Sequence, residues 1–449
     1  MEGDQSSNEK TQTKPPFLGK GMGVGINICR LVLALTFILS GFVKAVDPLG
    51  TQYKINDYLT AWGMGQWLPD LVTLGLSVAL SATEFCLGIF LLFAIRRRFT
   101  SRAILAILVV MTPLTLWLAL TDPISDCGCF GDAIVLTNWQ TFWKNVVLLL
   151  AAIVVVRRPM AMFRFVSESN QWIVINYTAL FILAISVWSL YYLPQFDFRP
   201  YHIGANIPKG MEIPEGEEQP RFETTYVMER NGQRQEMSEA EYMKVWEDST
   251  WTCVETKTRQ TSKGYVPPIH DFSLTEMETG DDLTDMVLSD PGYTFLLISP
   301  HLEHADDSQL DRINQIYEYS REQGYQFYGM TASGETAVAQ WRDMTGAEYP
   351  FCNTDEITLK TIIRSNPGLV LLKGGTVIRK WSHNDLPDEE QLTAPLERQP
   401  LGHMPEDSVP SKIATILLWF VLPLLLLTIA DRTWMWTRWV RKKKMKNEK

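Results

Sequence analysis

The chain has 449 residues, a formal net charge of −10, 46% hydrophobic residues and only six cysteines. That length accommodates two or three domains. The acidic balance excludes the clustered Lys/Arg footprint of a nucleic-acid binder, and the cysteine count excludes a disulfide-stapled mini-scaffold. Residues 1–22 begin polar and lack the charged-then-apolar layout of a cleavable signal, so they read as a disordered cytoplasmic tail.

Apolar runs long enough to span a bilayer follow at 26–46, 71–95, 103–121, 143–157, 171–193 and 412–431. Arg96, Arg97, Arg98 and Arg102 lie between the second and third runs, Arg157, Arg158 and Arg164 follow the fourth, and "RKKKMKNEK" ends a basic tail at 433–449. The alternate loops carry Asp47, Asp57, Asp70, Asp122, Asp126 and Asp132 instead. Placing every basic cluster inside predicts six spanning helices with both termini cytoplasmic. The expected setting is a bacterial inner membrane, with lipid as a partner and a large domain in the periplasm. The first four helices form one unit at 23–165, the fifth covers 170–194 and the sixth 411–432.

Helix one carries Ser40 and Gly41, small enough for close helix approach, and Lys44 near its outer end, able to snorkel or to pair with an acid. Helix two places Glu84 near mid-bilayer, where a carboxylate costs several kcal/mol unless protonated or paired; it reads either as a functional group or as a neutral acid bonded within the bundle. Pro113 is expected to kink helix three. Directly after that helix, "DCGCFGD" (126–132) sets Cys127 and Cys129 one residue apart on the predicted outer side, where an oxidising compartment permits thiol chemistry. Gly128 supplies backbone freedom for the small ring a Cys-x-Cys disulfide would close, and the strain of that ring would make the bond labile and oxidising. Asp126 and Asp132 flank the pair and are expected to disfavour thiolate. Three readings stand: a redox pair, structural thiols or a bridge, and half of a metal site. Cys29 and Cys86 read as small core residues or as an electron relay.

The polar segment after helix five begins β-rich, at 197–265. "TTYVMERNGQRQEM" puts Asn231-Gly232 between two alternating strands, a two-residue hairpin signal, and "STWTCVETKT" reads as a further strand. From 266 to 400 strands and helices alternate: "HDFSL", a helix at Asp281–Leu288, the buried strand "YTFLLIS", a helix at Asp307–Gln323, "YQFYGMT", a helix at Gly334–Met344, a short strand at Phe351, a helix at Asp355–Arg364, and a hairpin of "GLVLL" and "TVIRKW" joined at Lys373–Gly375. Such alternation favours an α/β sheet with helices on both faces. His301 and His304 are spaced to share a helical face for a metal, or are exposed loop residues. Cys253 and Cys352 read as buried thiols or as a bridge.

Two resemblances follow from these residues. "PPIHDFSL" and "NPGLVLLKGGTVIRKW" resemble the thioredoxin fold of the peroxiredoxin and thiol-disulfide reductase branch, which implies a cis-proline beside the active site at Pro367. The Cys-x-x-Cys of that fold is missing; its place reads Ser299-Pro300-His301-Leu302-Glu303-His304, without a nucleophile for exchange. The bundle, through Arg30, Ser40-Gly41-x-x-Lys44, Glu84 and Cys127-Gly128-Cys129-Phe130-Gly131-Asp132, resembles the DoxX and MauE membrane-redox superfamily over about 30–160. That resemblance implies a four-helix unit supporting disulfide formation or redox maturation of extracytoplasmic client proteins, with Cys127 and Cys129 as the reacting pair. The chain lacks the bundle Cys-x-x-Cys and second outer-loop pair of the related vitamin K epoxide reductases, a departure that speaks against quinone as cofactor. The rival expectation is a non-catalytic, membrane-anchored interaction subunit of an envelope complex. The fold class expected is thus an α-helical membrane bundle with an extracytoplasmic α/β thioredoxin-like domain and a small β-rich insert.

Overall fold

A computed structural model describes residues 20–65, 67–124, 126–218, 221–230, 233–238, 242, 251–262, 264–406 and 409–447. The chain divides into two units, one running to Phe196 and resuming at Asp407, the other Asp197–Glu406.

The first unit is helical: α1 (Lys20–Val46), α2 (Pro48–Ala61), α3 (Asp70–Phe93), α4 (Arg97–Thr121), α5 (Asn138–Arg157) and α6 (Gln171–Tyr191). After the second unit come α12 (Val409–Ile416), a π turn at Leu417–Val421 and α13 (Leu422–Asn447). Among the described residues, six helical stretches are long and apolar enough to cross a membrane, and this is a multi-pass membrane protein. Apolar side chains such as Leu71, Val110 and Leu180 face outward from the bundle, where lipid covers them. Helix α13 carries the basic tail on as helix to Asn447, where the sequence suggested a separate tail.

Small residues bring α1 and α3 into backbone contact. A Cβ on Gly41 would stand 2.3 Å from the Phe85 nitrogen, and one on Gly88 2.7 Å from that of Ile38. Ser77 donates to the carbonyl of Pro48 at 2.6 Å, tying α3 to the start of α2. That α2 exists is a finding, since the sequence reading left its residues as loop. Asp47 caps it by accepting from the Gly50 N–H at 2.9 Å, and Pro48 occupies the first helical turn. At the opposite end Arg30 donates to the carbonyls of Leu91 (2.9 Å), Leu92 and Phe163 (2.8 Å), so one buried guanidinium satisfies the last carbonyls of α3. Asp431 of α13 accepts from the Ser167 N–H (2.7 Å) and from Asn170 (2.6 Å), fastening that helix to the entry of α6. Helix α4 runs through Pro113 without interruption.

The second unit opens with α7 (Ile207–Met211) and an antiparallel sheet ordered β2 (Gln233–Ser238), β1 (Arg221–Arg230), β3 (Thr252–Ser262). Arg230 pairs with Gln233, while Asn231 and Gly232, the expected turn, lie outside the described residues. Then follow β4 (Thr275–Glu276), α8 (Thr284–Ser289), β5 (Tyr293–Ser299), α9 (Leu310–Gln323), β6 (Gln326–Thr331), α10 (Glu335–Thr345), β7 (Phe351–Asn353), α11 (Glu356–Ile362), β8 (Gly368–Lys373) and β9 (Thr376–Ser382). The sheet order is β4-β7-β6-β5-β8-β9, with β5, β6 and β7 parallel and the β8–β9 hairpin antiparallel. This is a thioredoxin-like sheet. Phe295 and Leu297 pack with Ile313, Ile316, Val338 and Trp341 of α9 and α10, and the alternate residues Leu296 and Ile298 are buried too, so both faces are covered. Gly374 and Gly375, at φ +55° and +65°, make the final hairpin turn.

Some expected boundaries move for local reasons. "HDFSL" is not a strand: the Leu274 N–H donates to the Thr284 hydroxyl at 2.8 Å rather than to a ladder, and pairing starts only at Thr275. Asp282 accepts from the Thr284 N–H, so α8 starts there rather than at Asp281. Cys352 is a buried free thiol, while the side chain of Cys253 lies outside what the structure describes. Burial pushes the Cys352 thiol up to about 12. Near the unit's start, Asp197 pairs with Arg199 (2.7 Å) and Lys380 (2.9 Å). Burial opposes ionisation of Asp197, but the two cations hold its carboxyl well below the ordinary range, while burial takes Lys380 down to about 8.

Candidate functional site

Asp122, with φ +46°, ends α4, and Asn138 holds that end by donating to Asp122 (2.8 Å) and to the Ile124 carbonyl (2.9 Å). The chain then turns back through residues 126–133. Gly128 stands at φ +65° and Gly131 at φ +50°, both in the left-handed region that favours glycine. The turn places the Cys127 and Cys129 sulfurs 2.8 Å apart, both as free thiols. Cys127 is buried and packs with Leu118 and Ile124; Cys129 is half-buried.

Around the sulfurs, four helices contribute polar groups, Glu84 being that of α3. From α1, Ser40 Oγ lies 2.6 Å from the Cys129 carbonyl oxygen and 2.7 Å from Glu84 Oε2; its single proton serves one acceptor at a time. Lys44 donates to both Glu84 oxygens at 2.8 Å, so the buried carboxylate is paired rather than isolated. From α2, Tyr58 donates to the Cys127 carbonyl at 3.2 Å, and Lys54 pairs with Asp126 at 2.9 Å. From α5, Lys144 sits 4.4 Å above the ring centre of the buried Phe130.

These surroundings split the two thiols. Cys127 gives its S–H to Cys129 and is buried, and both effects hold its own proton well above the ordinary thiol range. Accepting that bond lowers Cys129 to about 6, with Lys144 and Lys44 assisting against burial. The flanking Asp126 and Asp132 thus do not keep Cys129 from being lowered, while Cys127 stays protonated. Asp126 spends its charge on Lys54 and on the Gly128 N–H, which donates to it at 2.8 Å. Asp132 is exposed in the short 3₁₀ turn Gly131–Ala133. Burial, with the neighbouring Cys127, raises the Tyr58 phenol and keeps it a donor.

Residues 22–158 match the family model of the methylamine utilisation protein MauE. The bundle is similar to that family over those residues alone. Residues 222–263 match a domain of unknown function, DUF8463, and no curated protein matches the chain. Two solved structures are similar to it. One is a putative protein disulfide isomerase from Bacteroides thetaiotaomicron, 16% identical, covering 27% of this chain and 78% of its own, with a TM-score of 0.22. The other is an uncharacterised conserved protein from Geobacillus kaustophilus, 15% identical, covering 31% and 83%, with a TM-score of 0.23.

Ser40, Lys44, Glu84 and the Cys127–Asp132 turn therefore meet inside the helical unit, whereas Pro367 belongs to the other unit. There the Asn366–Pro367 peptide is cis. Asn366 accepts from the Ser299 hydroxyl at 2.6 Å and donates to the His301 carbonyl at 2.9 Å, so the proline adjoins the turn after β5 that carries no thiol. His301 precedes a 3₁₀ turn, Leu302–His304, rather than entering a helix, and it pairs with Glu356 at 3.0 Å. Its ring centre lies 6.4 Å from that of His304, and among the described residues no three His, Cys, Asp or Glu side chains gather to hold a metal. Cys29 and Cys86 of the helical unit pack at the edges of separate apolar clusters, apart from the cysteine turn's own cluster. Sequence reasoning missed Tyr58, Lys54 and Lys144: the first two need α2 to be recognised as helix, and Lys144 read only as an extension of a span.

Proposed function

We propose that this chain is a redox-associated protein of a bacterial inner membrane, exchanging thiols and disulfides with extracytoplasmic client proteins through Cys127 and Cys129. The observation that carries the reading is the 2.8 Å approach of the two sulfurs, with the more accessible one favoured as thiolate. Cys129 thiolate attacks one sulfur of a client disulfide, forming a mixed disulfide and releasing the other client sulfur, which takes a proton. Cys127 loses its proton and attacks Cys129, forming the Cys127–Cys129 bond and expelling the reduced client. Two electrons pass from the pair to the client, and the same steps in reverse oxidise a client dithiol. Supporting groups are Gly128 and Gly131 for the turn, Phe130 and Lys144 beside it, and the Ser40–Glu84–Lys44 set beneath Cys129. The test is maleimide trapping in intact membranes, with denaturation in the presence of the maleimide so that both sulfurs are reached: labelling of Cys127 and Cys129 must rise with prior reductant and fall with prior oxidant, and unchanging labelling ends the proposal.

The second unit keeps the cis-proline and has no cysteine in the turn after β5. This favours a client-docking module, and leaves as second reading a wholly non-catalytic anchor. A Cys127→Ser chain that folds and retains full cellular function would select that second reading.

A further inference from the structure

Where α4 begins and α5 ends, a cavity of about 550 Å³ opens between the two helices, lined by Arg98, Arg102, Arg157 and Arg158 together with Val156 and Met160. No carboxylate lines it. Arg97 fixes its walls by donating to the Met160 carbonyl at 3.0 Å. Arg98 and Arg102 lie four apart on one helix, a spacing at which like charges repel, and two more cations face them from α5. A rule that merely keeps positive charge on one side of a bilayer requires cations, not a walled hollow between two helices.

We propose that this cavity binds the phosphate of an anionic phospholipid headgroup. The spanning stretches of α4 and α5 begin at Arg97 and end at Arg157, so the cavity lies at the depth where both leave hydrocarbon. Guanidinium forks match phosphate oxygens two at a time, while Val156 and Met160 give an apolar wall suited to the lipid's glycerol and upper chains. A soluble phosphate would use the forks and leave that wall idle.

The test uses the full chain in detergent, titrated with phosphatidylglycerol, phosphatidylcholine or inorganic phosphate, with bound ligand counted by native mass spectrometry. Phosphatidylglycerol should bind and the zwitterionic lipid should not. Arg102→Gln with Arg157→Gln should weaken binding about 30-fold, whereas Arg441→Gln with Lys443→Gln and Lys444→Gln should leave it unchanged. Arg102→Lys with Arg157→Lys, which keeps the charge and loses the forks, should fall between, and carries the test if the glutamine pair does not fold. Equal weakening by the tail variant, or no weakening by either arginine pair, overturns the site. Inorganic phosphate binding as well as phosphatidylglycerol overturns its assignment to lipid.

Discussion

The turn after α4 and the turn after β5 hold opposite halves of what a thiol-exchange site needs. In the bundle turn two sulfurs stand together, one deprotonated with help from its partner and two lysines, but no cis-proline adjoins them. In the thioredoxin-like unit the cis-proline is present, bonded through Asn366 to Ser299 and His301, and the sulfurs are missing. That unit's Cys352 is sealed in the sheet with its proton held, as a packing residue. Sequence proximity of cysteines therefore says less about reactivity than the charges set around them.

The largest test of this contrast removes the bundle sulfurs. Cys129→Ser is expected to abolish exchange with a disulfide peptide, and Cys127→Ser to stop it at a trapped mixed disulfide visible on non-reducing gels; Cys352→Ala should leave the rate within about twofold. Exchange persisting in Cys129→Ser would place the chemistry elsewhere. Next come the buried ion sets. Lys44→Met leaves Glu84 unpaired and is expected to cost about 3–5 kcal/mol in thermal unfolding, with Glu84→Leu added to it restoring most of the loss. Asp197→Asn should cost the second unit a similar amount, since Lys380 and Arg199 would be left facing each other. A loss below 1 kcal/mol in either would show that water reaches the pair.

The pH dependence of alkylation sharpens the comparison further. Only thiolate reacts, so Cys129 should label half-maximally near pH 6 and Cys352 not at all below pH 9 in the folded chain. Cys127→Ala removes the S–H donor and should move the Cys129 midpoint up, toward the ordinary value of about 8.5. The midpoint staying in place would assign the shift to Lys144 and Lys44 instead. The smallest effect is at Lys54: its pair with Asp126 is partly exposed, and Lys54→Gln should cost about 0.5–1 kcal/mol.

What the residues determined unaided is whatever depends on near neighbours in the chain. Apolar length and arginine placement mark the six spans, alternation marks β5 to β9, and Pro367 follows from the segment around it. Even α2 was signalled locally, by Asp47 and Pro48. Tertiary structure decided what depends on residues distant in sequence. Lys44 meets Glu84 across 40 positions, Ser40 meets Cys129 across 89, and Lys54 takes up Asp126 across 72. The balance between two thiols one residue apart is set by those encounters, because the energy of a charge depends on what lies within a few ångströms of it and not on its place along the chain.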